Sequence, residues 1–550
     1  MSLTTISPQA EKSRKRFAAQ ASLLRLGHSV KQIFVLPASS PPWIRIFLLT
    51  LAALAIHGYH LGVEDGEIYI PAARKLLHPG LYPYATEFFQ SNERLSLFAP
   101  VLAWTARLTH LSMDWAVFLW YMATLFLTLT ACWMLAAISF RRMRARWCAV
   151  LVITAVLAMP ATNTGLLLMD PYLTARSFST PLTLFALVAL ARRRYFAGLL
   201  ITVATAAIHP LMAAYLVFLG VVLWCLDRFG PDRPGSERLR WTAPEAPVTG
   251  IALIAMPVGF KFAAAQGAYR EALYSRGFCF LSTWTWYDWL GLLAPLGFLV
   301  WFARGRVRGT TPEFARLSLA LIPFGAVSIL AGAAIAGTHR LDMFARLQPL
   351  RCFHLITFVF MLFFAGMLGE YLAKKRAWVI PALCLPLAAG MFLVARATYP
   401  MSPQIEWPGR ATSSNAWVST LLWIRRNTPR DAVFAVDSGY ILDPDVDVHG
   451  FRALSERSSL ADYYKDGGVV VIFPKLADEW KQMSSATAGL NHFSVQDFTR
   501  LAHEYPVTWT VIHGPEPAGM DCPYQQNGYA VCSIPDAPGL AGARAGDVTQ

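Results

Sequence analysis

Three carboxylates crowd into Glu64-Asp65-Gly66-Glu67, directly after the first long apolar run of a 550-residue chain. A carboxylate placed where a spanning helix leaves a bilayer loses part of its hydration, and is kept there by a cation, a metal or a reaction that uses it. Other polar groups sit at the ends of later apolar runs: Asp170 and Arg176, His209 before Pro210, then Arg346, Gln348 and Arg351. Carboxylates can serve as a general base or metal ligands, and arginine presents a fork that fits phosphate. These are the groups that displacement of a lipid-linked phosphate needs. Taken singly, each has a plainer use. Arg176 and Arg351 can hold lipid head groups, His209 can cap a helix, and Asp170 before Pro171 suits a turn.

The elements that must position them are apolar helices. The composition is 55% hydrophobic and 15% charged, and several apolar runs approach the ~20 residues that cross a hydrocarbon core. The fold class read from this is a polytopic α-helical membrane protein of about eleven spans with a small α/β C-terminal domain. The expected spans are about Trp43–Leu61, Trp115–Phe140, Cys148–Leu168, a short one from Phe178, and a hairpin within Phe196–Leu226 tipped by His209. They continue as Val248–Ala265, Trp286–Phe302, Leu317–Ala336, Phe353–Leu372 and Trp378–Val394.

Residues 1–42 read as a basic cytoplasmic segment, 43–399 as the membrane domain with a large outer loop at 62–114, and 400–550 as an exported domain. Net charge is +14, and residues 401–550 hold 11 Lys and Arg against 17 Asp and Glu. The positive excess therefore lies in the first 400 residues, in short clusters between spans. Under this count every strong cluster falls on the cytoplasmic side, which argues against nucleic acid as a partner. It places the N-terminal segment in the cytoplasm and the C-terminal domain on the extracytoplasmic side.

In that domain Trp417–Arg426, Lys475–Gln482 and Val495–His503 suit helices, while Ala432–Val436, Val469–Phe473, Thr508–His513 and Tyr529–Ile534 suit strands. Cys522 and Cys532 flank a turn in an oxidising compartment, where a disulfide is expected, and Cys279 is left over. Asp443, Asp445, Asp447 and His449 alternate like a calcium loop. They fail the EF-hand pattern, because Val448 and Leu454 stand where glycine and glutamate are required. The run from Gly450 through Arg452, Glu456 and Arg457 to Lys465-Asp466-Gly467-Gly468 is dense in functional groups, suited to recognising an acceptor or to capping helices. Phosphate-loop, HExxH, CxxC and nucleophile-elbow motifs are absent.

This layout resembles the polytopic GT-C glycosyltransferases, such as the protein mannosyltransferases and aminoarabinose transferases. The residues that carry the resemblance are Glu64-Asp65 at the family's acidic-pair position, the long loop to Arg94, and Trp423-Ile-Arg425-Arg426-Asn427-Thr428-Pro429-Arg430-Asp431-Ala432. The Trp-Trp-Asp-Tyr-Gly block of oligosaccharyltransferases is missing, and stretches around Leu347–His354 and Gly450–Gly468 look like a bacterial subgroup. The resemblance implies transfer of a sugar from a polyprenyl-phosphate donor to an extracytoplasmic acceptor. Asp65, with Glu64 behind it, would be general base or would hold a divalent cation, Mg or Mn. Arg346, Arg351, Arg176 and His209 would bind the donor phosphate, with Asp170 and Gln348 beside them. Glu67 is taken as outside the site. The competing classes are a transporter or flippase of an anionic or lipid-linked substrate and a non-catalytic envelope scaffold.

Overall fold

The computed structural model describes residues 42–229, 264–304, 307–373, 376, 378–410 and 412–535. The basic N-terminal segment and almost all of the expected span Val248–Ala265 lie outside the described residues. Among those described, six helical stretches are long and apolar enough to cross a membrane: Met113–Ser139, Pro210–Phe229, Trp286–Ala303, Pro312–Gly337, His339–Tyr371 and Val379–Thr398. The chain is thus a helical membrane protein, and the expected count of eleven spans is not reached.

The shortfall has a local cause. Helix α1 (Trp43–His57) stops at Gly58, whose φ of +81° ends the helix before Leu61. It is followed by α2 (Gly66–Leu77) and, after the first loop, by the long α3 (Met113–Ser139). The expected third span is helical only as α4 (Met143–Ala155). Its second half turns back on itself, with Pro160 bridged to Leu167, and delivers Asp170. Then come α5 (Ala175–Ala191), α6 (Tyr195–Ile208) and α7 (Pro210–Phe229), the last two divided at His209. At about 1.5 Å per residue, α1, α4 and α6 each cover only about 20 Å of a core near 30 Å thick. Further on lie α8 (Gly267–Tyr274) and α9 (Phe353–Tyr371).

The C-terminal unit is built on a five-stranded sheet in the order β2-β1-β3-β5-β4. Strands β1 (Val433–Ala435), β2 (Ser458–Ser459) and β3 (Trp509–His513) run parallel, and β4 (Asp521–Gln526) and β5 (Tyr529–Ser533) form an antiparallel hairpin. Asn527 and Gly528, both at positive φ, make the tight turn whose twist suits a hairpin. The expected Cys522–Cys532 disulfide closes it. Helix α10 (Ala416–Asn427) packs on the sheet; α11 (Phe451–Ser455) and α12 (Lys465–Ile472) face the membrane domain. Val469–Phe473, expected as a strand, belongs to α12 instead. The run is apolar throughout, with Val469, Val470 and Val471 buried, and periodicity alone cannot assign it.

This unit is stitched to the loop after α1 rather than standing apart. Tyr59 pairs with Gln404 and Glu406 through its backbone, Glu64 N–H donates to the Val448 carbonyl at 2.9 Å, and Gly450 N–H donates to the Gly62 carbonyl at 2.9 Å. At the centre of the joint Glu67 is fully buried. Its carboxylate accepts from the backbone amides of Arg452 (3.0 Å) and Ala453 (2.9 Å) and from Arg452 Nε (2.7 Å). The other end of the Arg452 guanidinium reaches Asp466 at 2.7 Å and Asp462 at 3.5 Å. Beside it Arg74, Asp114, Glu456 and Arg425 form a second ring of alternating charge, Arg425 lying 2.8 Å from Glu456 and 3.1 Å from Asp114.

Gly450 packs directly on the Glu67 carboxylate, and a Cβ there would overlap it. Gly450→Ala is expected to destabilise the folded protein by about 2 kcal/mol or more, because overpacking must displace a buried paired charge. A lowered thermal melting temperature in detergent, with the loss of the monodisperse peak at physiological temperature, is the check.

Candidate functional site

Asp65 sits at the N-cap position of α2, and its carbonyl receives the amides of Ile68 and Tyr69. The preceding Glu64 is held in the left-handed region, φ +51°, by its amide bond to Val448. Such strain in a residue with a Cβ costs about 1–2 kcal/mol and persists only where the surroundings impose it. Here it turns both carboxylates toward one ammonium. Lys465 Nζ, at the start of α12, binds Glu64 Oε2 and lies 3.3 Å from Asp65 Oδ1.

Lys465 is 7% exposed, whereas 49% of the Asp65 side chain is accessible. Burial pushes the Asp65 carboxyl up, but Lys465 and, after it, Arg176 and Arg351 hold it below the ordinary carboxylate value. The same pairing raises Lys465 against the opposing effect of burial. At neutral pH Asp65 is therefore an ionised, accessible carboxylate in a ring of cations.

The other groups come from helix junctions at the same end of the bundle. Arg176 opens α5 and makes a double ion pair with Asp170, 2.7 Å and 2.5 Å to its two oxygens. Both are buried, and the Thr174–Ser177 capping box fixes the helix start between them. His209 ends α6, and its Nδ1 accepts from Met212 N–H at 3.4 Å. The charges of Arg176, Arg351 and Asp65 all act on His209. Arg351 precedes α9; its Nε donates to the Thr164 carbonyl at 3.3 Å and its guanidinium lies 4.6 Å from the Phe278 ring centre. Among the described residues no carboxylate lies within ion-pair distance of Arg351, in contrast to Arg176.

Two expected members fall differently. Arg346 lies one turn away on the other flank of Gln348, next to Tyr269, and the cations acting most strongly on Asp65 are Lys465, Arg176 and Arg351. Gln348 contributes its backbone: at φ +47° it turns the chain, and its carbonyl accepts from Tyr215 at 2.7 Å. Glu67 is no bystander either, since the joint is built around it.

Residues that sequence reasoning had not placed here are Lys465 and Arg276. Lys465 belongs to a stretch already marked as dense in functional groups, but nothing local connects it to Asp65, 400 positions away. Arg276 lies over the Tyr464 ring at 4.5 Å and acts on Lys465. Its Nε and Nη2 are buried without a hydrogen-bond partner.

Behind the site a histidine–carboxylate pair braces the joint. His449 Nε2 lies 2.9 Å and 3.0 Å from the two oxygens of Glu406, which also accepts from Leu61 N–H at 2.8 Å. The alternating Asp443–His449 stretch is thus not one ligand loop. His449 turns inward to Glu406, and Asp443 and Asp445 meet His513 instead.

Fold and site together define a helical membrane protein with a mixed-charge cluster at the junction of its helix ends and a C-terminal sheet unit. No protein-family model matches the sequence, and no curated protein matches it.

The Glu406–His449 pair sets a pH dependence. Burial lowers His449, but Glu406 more than offsets this and raises it above 6.5, so its contribution is full below 6.5 and lost as pH rises through the raised value. Burial raises Glu406, but His449 and its other partners bring it below 4.5, so its contribution is full above 4.5 and lost as pH falls through the depressed value. Glu406→Gln is expected to cost about 2 kcal/mol between those limits, and the gap to wild type should narrow in alkali. Melting curves of both proteins across pH test it.

Proposed function

We propose that the protein is a membrane glycosyltransferase of the GT-C type, which moves a sugar from a polyprenyl-phosphate donor to an acceptor hydroxyl at the extracytoplasmic face. The observation that carries the reading is the accessible, ionised Asp65 within electrostatic reach of Arg351, a half-buried cation that no carboxylate pairs among the described residues. A phosphate is the group whose charge Arg351 would balance, and a hydroxyl proton is what Asp65 would accept.

In the proposed step the acceptor oxygen attacks the anomeric carbon while its proton passes to Asp65. The bond from that carbon to the phosphate oxygen breaks, and Arg351, backed by Arg176 and Lys465, stabilises the charge that grows on the leaving phosphate. His209 borders the same space. Glu64 and Asp65 would be the residues to hold a divalent cation, and Lys465, already paired with both, competes for the same carboxylates, which favours the base role for Asp65. The basic clusters between the apolar runs, all cytoplasmic under the expected topology, and the Cys522–Cys532 disulfide support a plasma-membrane location with the C-terminal unit outside.

Asp65→Asn in proteoliposomes is expected to reduce transfer by about 100-fold or more while leaving donor binding in place, as loss of a general base does. Arg351→Ala should weaken donor binding by about tenfold or more, the loss of one charge-assisted contact. Lys465→Met should shift the acid limb of the rate profile upward, because burial then acts on Asp65 with less opposition. Transfer undiminished in Asp65→Asn would dismiss the assignment; lipid or solute movement without transfer would replace it with a transporter.

A further inference from the structure

The C-terminal unit holds a cavity of about 320 Å³, walled by Trp417, Tyr440 and Tyr529 and edged by Asp437, Asp443 and Asn491. We propose that this cavity is a saccharide-binding site. Its volume is at the lower end of small-ligand pockets and has room for one or two sugar rings.

The lining determines the class of ligand. No lysine or arginine borders the cavity, so it has nothing to neutralise a phosphate or carboxylate. Its floor is aromatic and aliphatic, whereas its rim carries carboxylate and amide groups that accept or bridge hydroxyls. A molecule with an apolar C–H face and several hydroxyls matches both. His513 stacks on Tyr529 with ring centres 4.7 Å apart, and its Nδ1 is engaged by Asp443 at 3.0 Å, which fixes the rim in place.

Tyr529 points independently to a ligand. The residue is 4% exposed, lines the cavity, and its hydroxyl has no hydrogen-bond partner among the described residues. Buried tyrosine hydroxyls normally find a partner, and leaving one without costs about 1–3 kcal/mol. Asp443 borders the same cavity as Tyr529. A sugar hydroxyl bridging Tyr529 and Asp443 supplies the missing bond.

The wall segment also reaches the joint. Asp443 and Val446 face the cavity, and two residues further on the Val448 carbonyl holds the Glu64 amide. The assignment rests on the cavity's own lining and holds or fails separately from the transferase reading.

The test uses the full chain in lipid nanodiscs, free of glycoside detergent, and saturation-transfer NMR with glucose, galactose, mannose, arabinose and N-acetylglucosamine, with choline as a cationic control. At least one sugar is expected to show transfer. That signal should fall about fivefold, the loss of one hydrogen bond, in Tyr529→Phe. It should also fall in Leu442→Trp, which crowds the mouth from a position 57% exposed. Tyr529→Phe removes a group the fold does not use, so its melting temperature should equal or exceed that of wild type. Absence of transfer from every sugar, equal transfer in both variants, or transfer from choline alone would overturn the proposal.

Discussion

Glu67, Arg452 and Asp466 are ionisable groups shut away from water, and that combination is tolerable only while all three hold one another. An ion taken from water without a partner costs several kcal/mol, so separating the loop after α1 from the C-terminal unit would strand charge on both. The two parts are consequently one assembly. The same constraint delivers the chemistry. Asp65 lies two positions before Glu67, and Lys465 one before Asp466, so the network that pairs the second set also brings Lys465 to Asp65. Gly450 completes it by letting the backbone of α11 approach the Glu67 carboxylate.

Within the site the cations are not equivalent. Arg176 is saturated by a two-oxygen contact with Asp170, which makes it an anchor for the start of α5 and a source of field rather than a free hand. Lys465 is shared between two carboxylates. Arg351 is held by a carbonyl and an aromatic ring, contacts that orient a guanidinium without cancelling its charge. The result is a graded set, from fully paired to uncompensated, around the accessible Asp65. The second polar feature, the cavity of the sheet unit, has the opposite character: acidic at its rim and devoid of cations, it suits a neutral ligand.

Some of this could be read in advance. Apolar runs and the basic residues between them mark helices that cross a membrane, because hydrocarbon tolerates neither charge nor unpaired backbone. The junctions between those runs foretold that Asp65, Asp170, Arg176, His209 and Arg351 lie at one end. Spacing also foretold the Cys522–Cys532 hairpin. Helix lengths were less legible: the run from Cys148 is apolar enough to span, but Pro160 and the Gly165 turn, φ +68°, bend it back. Val469–Ile472 is apolar throughout and has no periodicity to separate helix from strand; in the fold it is a helix packed against the membrane domain.

What the sequence by itself determined is the membrane character, the end of the bundle where polar groups gather, and most elements of the C-terminal sheet, since each follows from local composition and pattern. Only the tertiary structure decided that Glu67 is a structural tie and that Lys465 stands between Glu64 and Asp65. Those outcomes depend on residues some 400 positions apart being forced together to satisfy buried charge, and no local pattern records which distant partner a carboxylate will find.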